Sequence, residues 1–219
     1  MDRPRLADAE QRMSGQSKGI FNRLYKSAEK AEDLPWHEAD PPVALVKALD
    51  QRATPGRALD IGCGAGTYSI YMAERGYRVT AIDFMPQAVA ILKNRLEGSE
   101  LAIEPEQADV GTWTTDKPFD VILDVGCLHT PGTIKYAAYK RQLLNWLAPG
   151  GDFILTHFGS RGWWDWWPIG PSRVPVDKLR RLFAPELELV EDLSEKRGNM
   201  PLFMGGSALI GHYWFRRRA

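Results

Sequence analysis

Cysteine is scarce in this sequence, with Cys63 and Cys127 the only two among 219 residues. Neither has the Cys or His neighbours that metal-ligand spacing demands, which argues against a zinc site and a disulfide framework. An excess of charge of either sign is also missing, since 28 basic residues balance 28 acidic ones. That balance, with no added basic domain, argues against nucleic acid and anionic membrane surfaces as partners. The short basic run Arg216 to Arg218 reads as a solvated tail. No apolar stretch approaches the roughly 20 residues that cross a bilayer. No start combines a basic segment, an apolar stretch and a cleavage site. The expectation is a soluble cytoplasmic protein. Internal repeats and long polar tracts are absent too, and 44% hydrophobic with 26% charged residues is the composition of a folded globular chain. The length suits one domain, with disorder expected only near the start.

What is present is an alternation of strands and helices. Ile20, Phe21, Leu24 and Tyr25 are spaced as on one helical face, and Leu34-Pro35-Trp36-His37-Glu38 makes an aromatic turn. Residues 1–41 are therefore expected to form an N-terminal helical lid, and residues 42–219 the main domain. Pro41-Pro42 opens a helix whose apolar face is expected to be Val43, Leu45, Val46 and Leu49. Strands are expected at 58–61, 77–82, 101–104, 119–123 and 152–157, with helices between them. Such alternation predicts an α/β fold, a Rossmann-like doubly wound sheet with helices on both faces. The segments 187–193 and 207–215 lack an intervening helix. They are expected to form an antiparallel C-terminal pair at one edge of the mostly parallel sheet.

Gly62-Cys63-Gly64-Ala65-Gly66 lies between the first strand and a helix N-terminus. Glycines there let a ligand approach the backbone closely. Dinucleotide enzymes use G-x-G-x-x-G, which needs glycine or alanine at Thr67, whereas the run here is G-x-G-x-G with Asp60 ahead of it. An acid on that strand suits a ligand with a cationic amino group and no phosphate, such as S-adenosylmethionine (SAM). Asp83, followed by Phe84, ends the second strand about 20 residues after the loop, where a carboxylate takes the ribose hydroxyls. Asp109 and Val110 are suited to an adenine amino group and ring nitrogen. Their joint placement at successive strand ends carries the reading, because ligands of open α/β sheets bind there.

The ordered set Leu59-Asp60-Ile61-Gly62-Cys63-Gly64-Ala65-Gly66, Ala81-Ile82-Asp83, Ala108-Asp109-Val110, Phe119 to Asp124, and Leu147-Ala148-Pro149-Gly150-Gly151 resembles the motifs of class I SAM-dependent methyltransferases. The resemblance implies that Asp60 and the glycines hold the methionine part of SAM, Asp83 the ribose, and Asp109 with Val110 the adenine. It also implies that Asp124 to Gly126 border methionine and acceptor, with S-adenosylhomocysteine (SAH) as product. Pro35-Trp36-His37 and Leu123 to His129 look like the small-molecule branch related to thiopurine and thiol methyltransferases.

On the acceptor side, His129 follows the fourth strand near the expected methyl position and has the intrinsic pKa of a general base. The other reading is a capping or structural imidazole. His157, ending the fifth strand, is the second candidate. Trp36 and the run Gly162 to Pro168, with Trp163 and Trp164, offer aromatic faces for a planar acceptor, or plain packing surface. The small-molecule nucleophile is left open among S, N and O of an aromatic or heterocyclic metabolite. No further acidic set suggests a metal, and a monomer or homodimer is expected. Two other classes share much of this pattern: an NAD(P)-dependent oxidoreductase and a non-catalytic SAM-binding protein.

Overall fold

The structure, a computed structural model, describes residues 19, 22–28, 30–34, 37–130, 134–160, 173–198 and 207–219. Five strands run parallel in the order β3-β2-β1-β4-β5: β1 (Arg57–Ile61), β2 (Arg78–Asp83), β3 (Ile103–Gln107), β4 (Phe119–Val125) and β5 (Leu147–Gly159). The chain runs outward from β1 through β2 to β3, then returns to place β4 on the other side of β1. The crevice at that reversal is where an open α/β sheet takes its ligand.

Beyond β5 the sheet continues with β8 (Ala208–Arg217) and then β6 (Leu187–Asp192), both pairs antiparallel, and the short β7 (Glu195–Arg197) also pairs with β8. The expected antiparallel pair is present, and its later strand, β8, is the inner one, lying between β5 and β6. Its composition shows why: Leu209 to Phe215 is almost wholly apolar, whereas β6 alternates buried Leu187 with exposed Glu188 and takes the edge.

The helices are α1 (Val43–Asp50), α2 (Thr67–Glu74), α3 (Pro86–Arg95), α4 (Tyr136–Trp146) and α5 (Val176–Phe183). Two periodicities divide the core. Ala58, Val121, Leu123, Ile154 and Trp214 pack with Leu45, Ala48, Met72 and Ala73 of α1 and α2 on one face. On the other, Leu59, Ile122, Phe153, Leu155 and Phe215 pack with Leu143, Leu179 and Phe183 of α4 and α5. The buried stripe of α1 is Ala44, Leu45, Ala48 and Leu49, and Val43 is 56% exposed. Apolarity alone misassigned Val43, which lies off the stripe that helical spacing gives to Ala44, Leu45, Ala48 and Leu49. The third strand begins two residues later than expected, at Ile103, after Leu101 and Ala102 have carried the chain up from α3.

At the edge opposite the crevice, buried Asp152 accepts from Arg52 Nη1 (2.7 Å), Trp214 Nε1 (2.8 Å) and Arg216 Nε (2.8 Å). One carboxylate thereby ties the lead-in to β1, the start of β5 and the end of β8. Among the described residues no helix is long and apolar enough to cross a membrane.

Candidate functional site

The amides of Gly62 and Cys63 both donate to Ile82 O (2.8 and 3.0 Å), which stitches the glycine loop to the end of β2. Gly66 turns the chain into α2 with φ +76°, and a Cβ there would stand 2.2 Å from Leu92 Cδ1. Left-handed backbone and missing space both demand glycine at this position. Arg95 of α3 then fastens the loop by donating to Ala65 O (2.7 Å) and Thr67 Oγ1 (3.3 Å).

Three buried carboxyls line the strand ends around this loop. Asp60 accepts from Ser69 Oγ (2.6 Å) across the start of α2, and burial pushes its pKa up to about 7 against that bond, with Asp83 and Asp124 adding repulsion. Asp83 accepts from the amides of Gly64 (3.0 Å) and Met85 (2.8 Å); burial raises it to about 6 in spite of them. Asp124 accepts from the amides of Cys127 (2.8 Å) and Leu128 (3.1 Å) and from Tyr139 Oη (2.6 Å), and burial lifts it to about 7. Hydrogen-bond donors hold each of these acids, with no ion pair to any of them among the described residues. An acidic, desolvated cradle of this kind is stabilised by a cationic ligand, so the residues fit the sulfonium and ammonium groups of SAM.

Ala108 donates to Asp83 O (2.9 Å), so Asp109 and Val110 emerge beside Asp83. The Asp109 carboxylate is exposed and accepts from the Gly111 amide (2.9 Å), while Val110 is buried. Phe84 is half-buried next to Met85, against the N-terminal segment. In that segment Tyr25, Ala31 and Leu34 pack on Ala65, Met85 and Ala88, and Asn22 accepts from Gln87 Nε2 (3.0 Å). Glu38 pairs with Arg197 of β7, joining the approach to α1 to the far side of the sheet. Of the lid residues read from sequence, Ile20, Phe21, Pro35 and Trp36 lie outside the described residues, as do Trp163 and Trp164.

The Asp124 carboxylate is engaged inside the protein, and it shapes the loop that follows β4. Thr130 Oγ1 closes that loop on Gly126 O (2.8 Å). Gly126 has φ +95°, and a Cβ there would be 3.2 Å from His129 Nε2, so the missing side chain makes room for the imidazole. His129 stands edge to face with His157 (5.4 Å, 89°) and with Phe158 (4.8 Å, 82°), and its Nδ1 is buried with no partner among the described residues. Burial first, and the neighbouring His157 second, lower its pKa to about 3. His157 is fully buried, and burial lowers it to about 4 although its bond to Phe158 O opposes this. Both its ring nitrogens are engaged, with Tyr136 Oη (3.1 Å) and Phe158 O (2.9 Å).

The structure thus places Asp60, Gly62, Gly64, Gly66 and Asp83 at and after the ends of β1 and β2, and Gly126 and His129 in the loop after β4, with fully buried His157 of β5 packed against His129. Sequence reasoning missed Ser69, Tyr136, Tyr139 and Phe158. The spacing of the two tyrosines, one helical turn apart, was the available signal. Among the described residues no group of three His, Cys, Asp or Glu is placed to hold a metal ion.

Residues 58–151 match the family model of the methyltransferase domain. The chain is similar to the 2-heptyl-1-hydroxyquinolin-4(1H)-one methyltransferase of Mycobacteroides abscessus, 27% identical over 81% of this chain and 80% of that one. It is similar to the ubiquinone biosynthesis O-methyltransferase of Xanthomonas campestris, 31% identical over 55% of each chain. Its fold is similar to that of 1,6-didemethyltoxoflavin-N1-methyltransferase of Burkholderia thailandensis, solved with 1,6-didemethyltoxoflavin and SAH (TM-score 0.67, 21% identity, 100% of this chain and 92% of that chain). Residues 58–151 are thus similar to a methyltransferase domain, the sheet around them is Rossmann-like, and the match together with the site supports S-adenosylmethionine as the cofactor.

Proposed function

We propose that this protein transfers the methyl group of SAM to a hydroxyl or ring nitrogen of a small planar heteroaromatic acceptor in the cytoplasm, with His129 taking the acceptor's proton. The observation that carries this reading is the His129 imidazole at the crevice end of β4, flanked by rings and with a buried nitrogen that has no partner among the described residues. A buried polar atom without a partner costs about 1–3 kcal/mol, and an acceptor's O–H or N–H would recover it. The ring of Phe158 beside His129 suits a flat, weakly polar molecule better than an alkylammonium or a carboxylate. The relatives' acceptors, a hydroxyquinolinone and a didemethyltoxoflavin, have this character.

SAM supplies the electrophilic methyl. The protein's part is alignment, exclusion of water and removal of one proton. Asp60, Gly62, Gly64 and Gly66 would orient the methionine portion, Asp83 with Phe84 the ribose, Asp109 and Val110 the adenine, and the backbone at Asp124 and Gly126 the sulfonium side. The N-terminal segment would act as a lid, and Trp36, Trp163 and Trp164 remain candidates for the acceptor's walls. A thiol acceptor needs the base less, because its pKa lies nearer neutrality. The test is SAH release with 2-heptyl-1-hydroxyquinolin-4(1H)-one, a phenol, an aryl thiol and an alkylamine as acceptors. His129→Ala should slow the hydroxyl acceptors by about 10²- to 10⁴-fold at unchanged SAH affinity. Turnover confined to the thiol, or insensitive to His129→Ala, would overturn it.

A further inference from the structure

Two tyrosines stand one turn apart at the start of α4, and their hydroxyls reach the ends of two different strands. Tyr139 donates to Asp124 on β4 (2.6 Å), and Tyr136 meets His157 Nε2 on β5 (3.1 Å). The second contact has a defined polarity. His157 Nδ1 lies 2.9 Å from the carbonyl oxygen of Phe158, and a carbonyl only accepts, so Nδ1 carries the proton. In the neutral ring Nε2 is then an acceptor, and the Tyr136 hydroxyl is the donor. The imidazole is pinned at both nitrogens and has one tautomer and one orientation.

His129 rests against this pinned ring. It stands perpendicular to His157 at 5.4 Å and to Phe158 at 4.8 Å. Phe158 thus contributes twice, its carbonyl fixing His157 and its ring flanking His129. A free His157 would have two tautomers and a flipped rotamer available, and each presents a different edge to His129. Phe158 O excludes the second tautomer, and the hydroxyl of Tyr136 secures the ring's orientation from its other nitrogen, without itself lying in the loop that carries His129.

We propose that Tyr136 is a positioning residue for methyl transfer: by anchoring Nε2 of His157 it completes the fixing of that ring's orientation and so sets where the His129 imidazole stands at the crevice end of β4. The inference rests on the reading of His129 as the proton acceptor, and two measurements separate the failure of one from that of the other.

The first needs no acceptor. In the SAH complex of the wild type, ¹⁵N resonances of His157 should show a protonated Nδ1 and an unprotonated Nε2. Tyr136→Phe keeps the ring and deletes the hydroxyl; with Nδ1 still donating to Phe158 O, it should shift the freed His157 Nε2 resonance and, with the ring less firmly held, the His129 resonances. Unmoved His129 resonances overturn the proposal whatever the enzyme methylates. The second is kinetic, with 2-heptyl-1-hydroxyquinolin-4(1H)-one as acceptor at saturating SAM. Tyr136→Phe should lower kcat about tenfold with SAH affinity unchanged, the effect of one lost hydrogen bond expressed in the rate. In a His129→Ala background it should change nothing further, since coupled residues are non-additive. An equal loss in both backgrounds, or none in either, overturns it. His157→Asn retains a donor for Phe158 O and loses the contact with Tyr136. It should reproduce the kinetic loss, and it serves if Tyr136→Phe does not fold. Absence of turnover with every acceptor, alongside shifted His129 resonances, would count against the proposed function and not against the role of Tyr136.

Discussion

Replacing Asp60 by Asn should make the ligand-free protein more stable while weakening its hold on SAM. Asp60 is 2% exposed, and burial holds its carboxyl at about 7, against 3.8 for a free aspartate. Between those two values the native state binds a proton that the unfolded state does not, so stability falls as pH rises through that window. At about 1.4 kcal/mol per tenfold, the ionisable group costs the native state about 2 kcal/mol at pH 5 and about 4 kcal/mol at pH 8. These are ceilings, because loop opening lets water reach the carboxylate. Asn cannot ionise, and its side-chain oxygen can still accept from Ser69 Oγ, so the variant avoids this cost. Urea denaturation without ligand at pH 5 and pH 8 measures the gap directly. The variant should lead at both, with the lead growing by about 2 kcal/mol toward pH 8. SAM titration at pH 8 should show weaker binding in the variant, since the anion that offsets the ligand's positive charge is gone. A lead that shrinks with rising pH would show that Asp60 is not a desolvated acid. Unchanged SAM affinity would show that the cation lies elsewhere.

Asp83→Asn should weaken SAH by about 10- to 100-fold, the range for a lost charged acceptor, as read by calorimetry. The Ala variant is a poorer probe, because Asp83 also takes the amides of Gly64 and Met85, and truncation would orphan both. Gly66→Ala should lower the melting temperature sharply through positive φ and the contact with Leu92, and Leu92→Ala should restore part of the loss; full stability of the single variant would refute the packing argument. Hydrogen exchange at residues 22–34 should slow when SAH is added, and equal protection with and without it would count against a lid.

The strand-loop-helix frame and the chemistry of the glycine loop were legible because they are local. Asp60, Gly62, Gly64, Gly66 and Asp83 each sit at a position fixed by a few neighbours in sequence, and β1 and β2 bring them together without long-range information. The insertion of β8 between β5 and β6 was not legible, since two consecutive antiparallel strands pair equally well whichever of them meets the parallel sheet. Val43 looked like core because apolarity was weighed without the helical spacing that puts Ala44, Leu45, Ala48 and Leu49 on one buried stripe. Tyr136 and Tyr139 were hidden for a different reason. Their partners, His157 and Asp124, lie on other elements, and only the packing of α4 on the sheet reveals which hydroxyl reaches which strand.

The placement of β8 has a consequence for how the chain is made. Synthesis delivers a protein from its N-terminus, and the cofactor crevice between β1 and β4 is complete in sequence well before β8 appears. Among the described residues, though, strand β6 has no neighbour in the sheet except the later β8, and β5 presents an open apolar edge until β8 fills it. During that interval the growing polypeptide exposes the side of β5 that pairs most readily with a stranger. The three donors that converge on Asp152 cannot all meet until Trp214 and Arg216 have emerged, so the carboxylate acts as a latch that closes only on a finished sheet. A cell that makes this protein should therefore depend on holding the partly built sheet apart from its copies, and a ligand for the early-formed crevice would steady only the half that is already there.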